Sequence, residues 1–145
     1  MHLGSSSRGQ DKNRTWLTAA ALAAVATGAS CQQPQPAALP LVPVHVGGEA
    51  GGDACGGIGQ VANLRKAGFL AVRDGPGTRH AERDRLLAGQ EVWLCEERRL
   101  WRGVVYAPDV RTDCGVATVQ PARAAYNGPC RSGWVFGRYV ALTAG

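Results

Sequence analysis

Residues 55–145 are predicted to fold as an all-β domain, and three observations carry that reading. Glycine is abundant, at 20 of 145 residues, while charged residues make up only 19%. That profile suits short strands and turns better than long helices. Short apolar runs recur along this region with turn residues between them, the pattern of a small sandwich or barrel. Four of the five cysteines, Cys55, Cys95, Cys114 and Cys130, fall in the same region, as expected of a small exported domain stapled by disulfides.

The chain divides into three segments. Residues 1–30 read as a signal peptide. Arg8, Lys12 and Arg14 form a basic start, WLTAAALAAVA (16–26) is an apolar core of 11 residues, and small residues follow in TGASC (27–31). The core is short for a bilayer span, which takes about 20 residues. Two processing readings stay open: cleavage near Ala26 or Ala29, or lipidation of Cys31 after cleavage at its N-terminal side. Ala29 and Ser30 suit a lipobox, whereas Gly28 stands where such boxes usually carry Leu. Residues 31–54 follow, rich first in proline and then in glycine, and are expected to be a disordered linker. His45 is given no role there.

Within 55–145, GFLAVR (68–73) is a short strand. AERDRLLAG (81–89) reads as a loop running into a strand rather than a helix, because Gly89 closes it early. GQEVWLCEE (89–97) alternates, with Val92, Leu94 and Glu96 expected on one face and Trp93 and Cys95 on the other. LWRGVVYA (100–107) follows a charged turn. Residues 107–129 form an inserted loop, with Asn127-Gly128 marking a turn. RSGWVFGRYVAL (131–142) supplies the last strands.

The cysteine spacings of 40, 19 and 16 contain no CxxC pair, so disulfides are favoured over zinc. Of three connectivities, we expect Cys114–Cys130, stapling the inserted loop, and Cys55–Cys95, tying the N-terminal strand to the sheet. Each bridge adds roughly 2–4 kcal/mol.

The stretch LAVRDGPGTRH (70–80) raises the question of a phosphate loop or a catalytic turn. No GK[ST] follows it and no serine sits between spaced glycines, so neither reading holds. Pro76-Gly77 fits the centre of a type II turn. His80 is expected to be solvated. No nucleophile–base set is apparent and no cofactor is expected, so the domain reads as a binder rather than an enzyme. The formal charge of +5 suits anionic envelope polymers, and no nucleic-acid motif accompanies it.

The order of these pieces resembles the bacterial SH3 (SH3b) domains of cell-envelope proteins. The likeness lies in LAVRDGPGTRH (70–80), LLAGQEVWL (86–94), LWRGVVY (100–106) and CRSGWVFGRYVAL (130–142). It runs through Arg73, Gly75, Pro76, Gly77, Gly89, Val92, Trp101, Gly133, Trp134, Val135, Tyr139 and Val140. It covers about half the chain. The long insertion and the four cysteines depart from the general family pattern and suggest a secreted subgroup. The resemblance implies an SH3-like barrel of five to seven strands that binds peptidoglycan or an envelope protein. It implies ligand contacts at Trp101, Tyr139, Trp134, Arg73 and Arg79, and an exported location with membrane contact only through a lipid anchor at Cys31. The alternatives are a pure protein–protein interaction domain, or a secreted inhibitor or accessory subunit of an envelope hydrolase.

Overall fold

A computed structural model describes residue 37 and residues 39–145; the segment read as a signal peptide (1–30) and the candidate lipidation residue Cys31 lie outside the described residues. Among those described, the chain forms nine β-strands: β1 (His45–Val46), β2 (Gly57–Val61), β3 (Leu70–Arg73), β4 (Glu82–Leu86), β5 (Glu91–Arg98), β6 (Trp101–Tyr106), β7 (Ala124–Ala125), β8 (Arg131–Phe136) and β9 (Val140–Ala144). A 3-10 turn (Gly137–Tyr139) joins β8 to β9. The strand pairings are antiparallel. Seven strands form one sheet in the order β4-β3-β8-β6-β5-β2-β9, and β1 pairs with β7 as a separate two-stranded sheet. The all-β expectation holds. The large sheet is open, with β4 and β9 at its edges.

Both faces of this sheet carry a core. Along β6, Val104 enters one core and Val105 the other, because successive side chains of a strand point to opposite faces; both are fully buried. The first core gathers Val61, Leu70, Val72, Leu86, Val92, Val104, Tyr106 and Val135. The second gathers Val46, Ala54, Cys55, Val105, Cys114 and Val116, flanked by Trp93 and Tyr126. Trp93 therefore does not face outward.

The second core overturns the disordered-linker expectation for its C-terminal part. Val44 and Val46 are buried. The Val42 N–H donates to the Asp74 carbonyl, and the Val42 carbonyl accepts the Trp134 indole N–H at 2.8 Å. The physical reason is the alternation Val42, Val44, Val46, a strand-like stripe that composition alone conceals.

Two disulfides hold this layer, Cys55–Cys95 and Cys114–Cys130. Tyr126 braces the second: its hydroxyl donates to the Cys114 carbonyl at 3.0 Å and accepts the Cys130 N–H at 3.1 Å. Glu96 is the polar counterpart. A bulge at Cys95 shifts the register so that Glu96, not Cys95, faces Gly103. The carboxylate thus turns to the face of the second layer, away from the expected face of Val92 and Leu94. There it accepts the His45 N–H at 2.9 Å and meets Arg98 at 2.8 Å and Arg123 at 2.9 Å.

The 74–80 turn differs from the type II expectation. Gly77 is not among the glycines with positive φ. Instead the Gly77 N–H donates to the Gly75 carbonyl, and the His80 N–H donates to the Gly77 carbonyl. His80 is buried at 9% exposure, not solvated. Its ring fills the space where a Gly75 side chain would stand, with Nε2 only 2.6 Å from the ideal Cβ position. Glycine at 75 is required by the histidine, not by the dihedral angles.

Candidate functional site

β3 and β8 share the register pair Arg73↔Trp134. Beyond it β8 turns into the 3-10 segment, whose Gly137 N–H donates to the Leu100 carbonyl. The start of β3 and the end of β8 therefore splay apart. A cleft of about 530 Å³ opens between them, lined by Phe69, Leu70, Ala71, Arg73, Gly77, Thr78, Trp101, Phe136 and Tyr139.

The walls of the cleft are aromatic. Trp101 and Phe136 face each other across β6 and β8 and meet edge to face, with centroids 5.6 Å apart; Phe136 and Tyr139 follow at 6.1 Å. Such pairs hold one another's rings in place. Arginines stand at the rim. Arg85, paired with Glu82 at 2.6 Å, lies over Phe69 at 4.1 Å, and Arg138 lies over Tyr139 at 5.2 Å. Arg73 donates to the His80 carbonyl at 2.9 Å, which anchors its side chain to the buried turn. No carboxylate lines the cleft among the described residues. This surface can stack a planar or apolar group and pair an anion beside it.

Three of the five expected ligand residues come together here: Trp101, Tyr139 and Arg73. The other two do not. Trp134 is fully buried and hydrogen-bonded to Val42, so it is a core residue. Arg79 is exposed and lies outside the lining. Phe69 and Phe136 also line the cleft, outside those five. Phe136 was recoverable as the cross-strand partner of Trp101. Phe69 carried no comparable signal, since it reads as the first apolar residue of a strand.

Two polar clusters elsewhere brace the fold. Asp84 accepts hydrogen bonds from the Arg131 guanidinium at 2.7 Å, the Arg85 N–H at 2.8 Å and the Tyr106 hydroxyl at 3.0 Å. Burial pushes its carboxyl up, but these donors outweigh burial and hold it below the usual carboxylate range. Burial and the Asp84 charge push the Tyr106 phenol well above its ordinary value. Glu96 follows the same logic: burial raises it, and the His45 N–H with Arg98 and Arg123 brings it down. Each cluster joins separate strands, and neither lines the aromatic cleft. Among the described residues no group of three or more His, Cys, Asp or Glu is placed to hold a metal ion. No family model, curated protein or solved structure matches this chain.

Proposed function

We propose that this protein is an exported, non-catalytic binding module of the bacterial SH3 type that contacts peptidoglycan through the aromatic cleft. The observation that carries the proposal is the cleft itself: Phe69, Trp101, Phe136 and Tyr139 around Arg73, with no carboxylate in the lining. Aromatic walls suit sugar faces and methyl-bearing peptides, and an arginine suits their carboxylates. The antiparallel all-β sheet supports an SH3-like barrel as the finer form of the fold, because the segments that carry the resemblance fall on β3, β5, β6, β8 and β9. The two disulfides are compatible with an oxidising, extracytoplasmic compartment.

Sedimentation of the oxidised protein with purified sacculi tests the proposal. Co-sedimentation that Trp101→Ala abolishes supports a wall-binding cleft. A folded protein that stays in the supernatant refutes it. A second reading, docking of an envelope protein or hydrolase on the stapled loop, is favoured by the exposed Val110 and Val119. Affinity capture from envelope extract would then retain that partner, and loss of capture on Val119→Asp would locate the contact.

A further inference from the structure

A second cleft of about 470 Å³ is lined by Pro76, Arg98, Arg99, Leu100 and Trp101. The two clefts share the Trp101 ring. They also share one turn, since Pro76 lines one and Gly77 the other. Trp101 and the 76–77 turn thus border both clefts.

Its cations differ in their commitments. Arg98 pairs with Glu96 at 2.8 Å and lies over the Trp134 ring at 5.1 Å. Arg99 is exposed, and no carboxylate pairs with it among the described residues. It also holds a left-handed backbone, φ 55°, which glycine or asparagine adopts more easily. Leu100 beside it is 68% exposed. The tip of the β5–β6 hairpin thus presents an uncommitted cation and an uncovered apolar side chain next to Trp101.

The charge on the rest of the surface shows where an anion can go. A larger cleft, about 890 Å³ around Cys55–Cys95, carries Glu49, Asp53, Glu96 and Glu97 against Arg102 and Arg123. Neither cleft beside Trp101 has a carboxylate in its lining among the described residues. An anionic chain is repelled from the first surface and accepted on the second.

We infer that the Arg99–Leu100 cleft is a second subsite and binds a carboxylate-bearing stretch of wall peptide that runs across Trp101 from the aromatic cleft. The inference rests on the wall-binding reading and adds the chemical class of the bound segment: the anionic peptide, not the glycan. A neutral sugar needs one aromatic face and no second cation. A peptide chain with methyl side chains and free carboxylates uses the apolar floor and Arg99 together.

Affinity of the intact protein is measured for purified sacculi, for glycan strands stripped of peptide by an amidase, and for anionic phosphatidylglycerol vesicles, over a range of salt. The double variant Arg99→Glu/Leu100→Ser is expected to weaken sacculus binding about tenfold and flatten its salt dependence. Arg99→Gly separates binding from folding. It relieves the left-handed strain, so the protein melts no lower than wild type, yet binding falls about threefold. Peptide-free glycan strands bind wild type and variants alike, and weakly. Variants that bind sacculi like wild type, while Trp101→Ala does not, overturn the second subsite and leave the wall-binding reading standing. Equal wild-type affinity for stripped glycan and intact sacculi overturns the peptide assignment, and preference for vesicles over sacculi overturns it in favour of a membrane surface. Absence of sacculus binding by every form overturns the wall-binding reading and this inference with it.

Discussion

Substitution Glu96→Gln tests the polar clamp on the second layer. The Glu96 side chain is only 6% exposed and gathers four contacts: the His45 N–H at 2.9 Å, the His45 Nδ1 at 3.4 Å, Arg98 at 2.8 Å and Arg123 at 2.9 Å. Glutamine keeps the volume and removes the charge. Its amide oxygen can still accept the His45 N–H, so only the charge assistance of that bond is lost, about 1–1.5 kcal/mol. Arg98 and Arg123 are 43% and 50% exposed, so each ion pair adds only about 0.2–1 kcal/mol after screening. The expected loss at neutral pH is about 1.5–3.5 kcal/mol, a large share of the stability of a domain this small. The dependence on pH has a definite sign. The folded state holds this carboxyl below its ordinary value of 4.5, so the unfolded chain binds the proton more tightly. Stability from Glu96 is complete above the ordinary glutamate range and is lost as pH falls through the lowered folded value. Asp84, also lowered, makes the wild type lose stability over the same acid range, so the difference between wild type and variant isolates Glu96. Urea unfolding followed by tryptophan fluorescence at about pH 7 and about pH 3 measures it. The gap should be wide at neutral pH and narrow in acid. Equal stability at neutral pH, or a gap unchanged in acid, would refute the clamp.

Other perturbations read other parts of the fold. Gly75→Ala drives a methyl into the His80 ring and should cost about 1–3 kcal/mol, whereas Gly77→Ala, whose Cβ meets His80 at an ordinary 3.5 Å, should cost less than about 1 kcal/mol; thermal melts of the two variants decide. Replacing both cysteines of either bridge by serine should lower stability by about 2–4 kcal/mol. Loss of Cys55–Cys95, which closes 40 residues against 16 for Cys114–Cys130, should cost roughly 0.8 kcal/mol more by loop entropy; denaturant midpoints of the two double mutants rank them. Trp134→Phe keeps most of the buried ring but leaves the Val42 carbonyl without its indole donor, for a loss of about 1–3 kcal/mol; faster amide exchange at Val42 should accompany it.

The strands were legible where a local pattern decides them. β3, β5, β6 and β8 each place residues of one face in the first core, and β4 ends at Leu86, which is buried in it. What escaped the sequence depended on a second surface. A tryptophan at 134 looks the same as a ligand contact or as a core residue until a segment far upstream covers it with Val42. His80 looks like a loop residue because its partner is an absence, the missing side chain of Gly75. The bulge at Cys95 cannot be seen in an alternating pattern, since one extra residue leaves the sequence regular while turning Glu96 to the other face.

The same second layer explains why a cleft can exist at the Phe69–Tyr139 end. A sheet of short strands with no α-helix among the described residues has two faces to cover. Here one is covered by segments with little regular structure, residues 42–55 and 107–130. Such segments bury few side chains per residue, and their ordering costs about 1–2 kcal/mol for each residue fixed. Two disulfides, Tyr126 and Glu96 offset that cost. The aromatic end therefore does not have to be packed over. Trp101, Phe136 and Tyr139 remain partly exposed, held by one another and by the β6–β8 ladder rather than by a cover. Aromatic rings fixed on rigid strands bind with little loss of side-chain entropy. The stapled layer and the open aromatic end therefore belong to one design, and loosening the staple should weaken binding at that end only as far as it loosens β6 and β8.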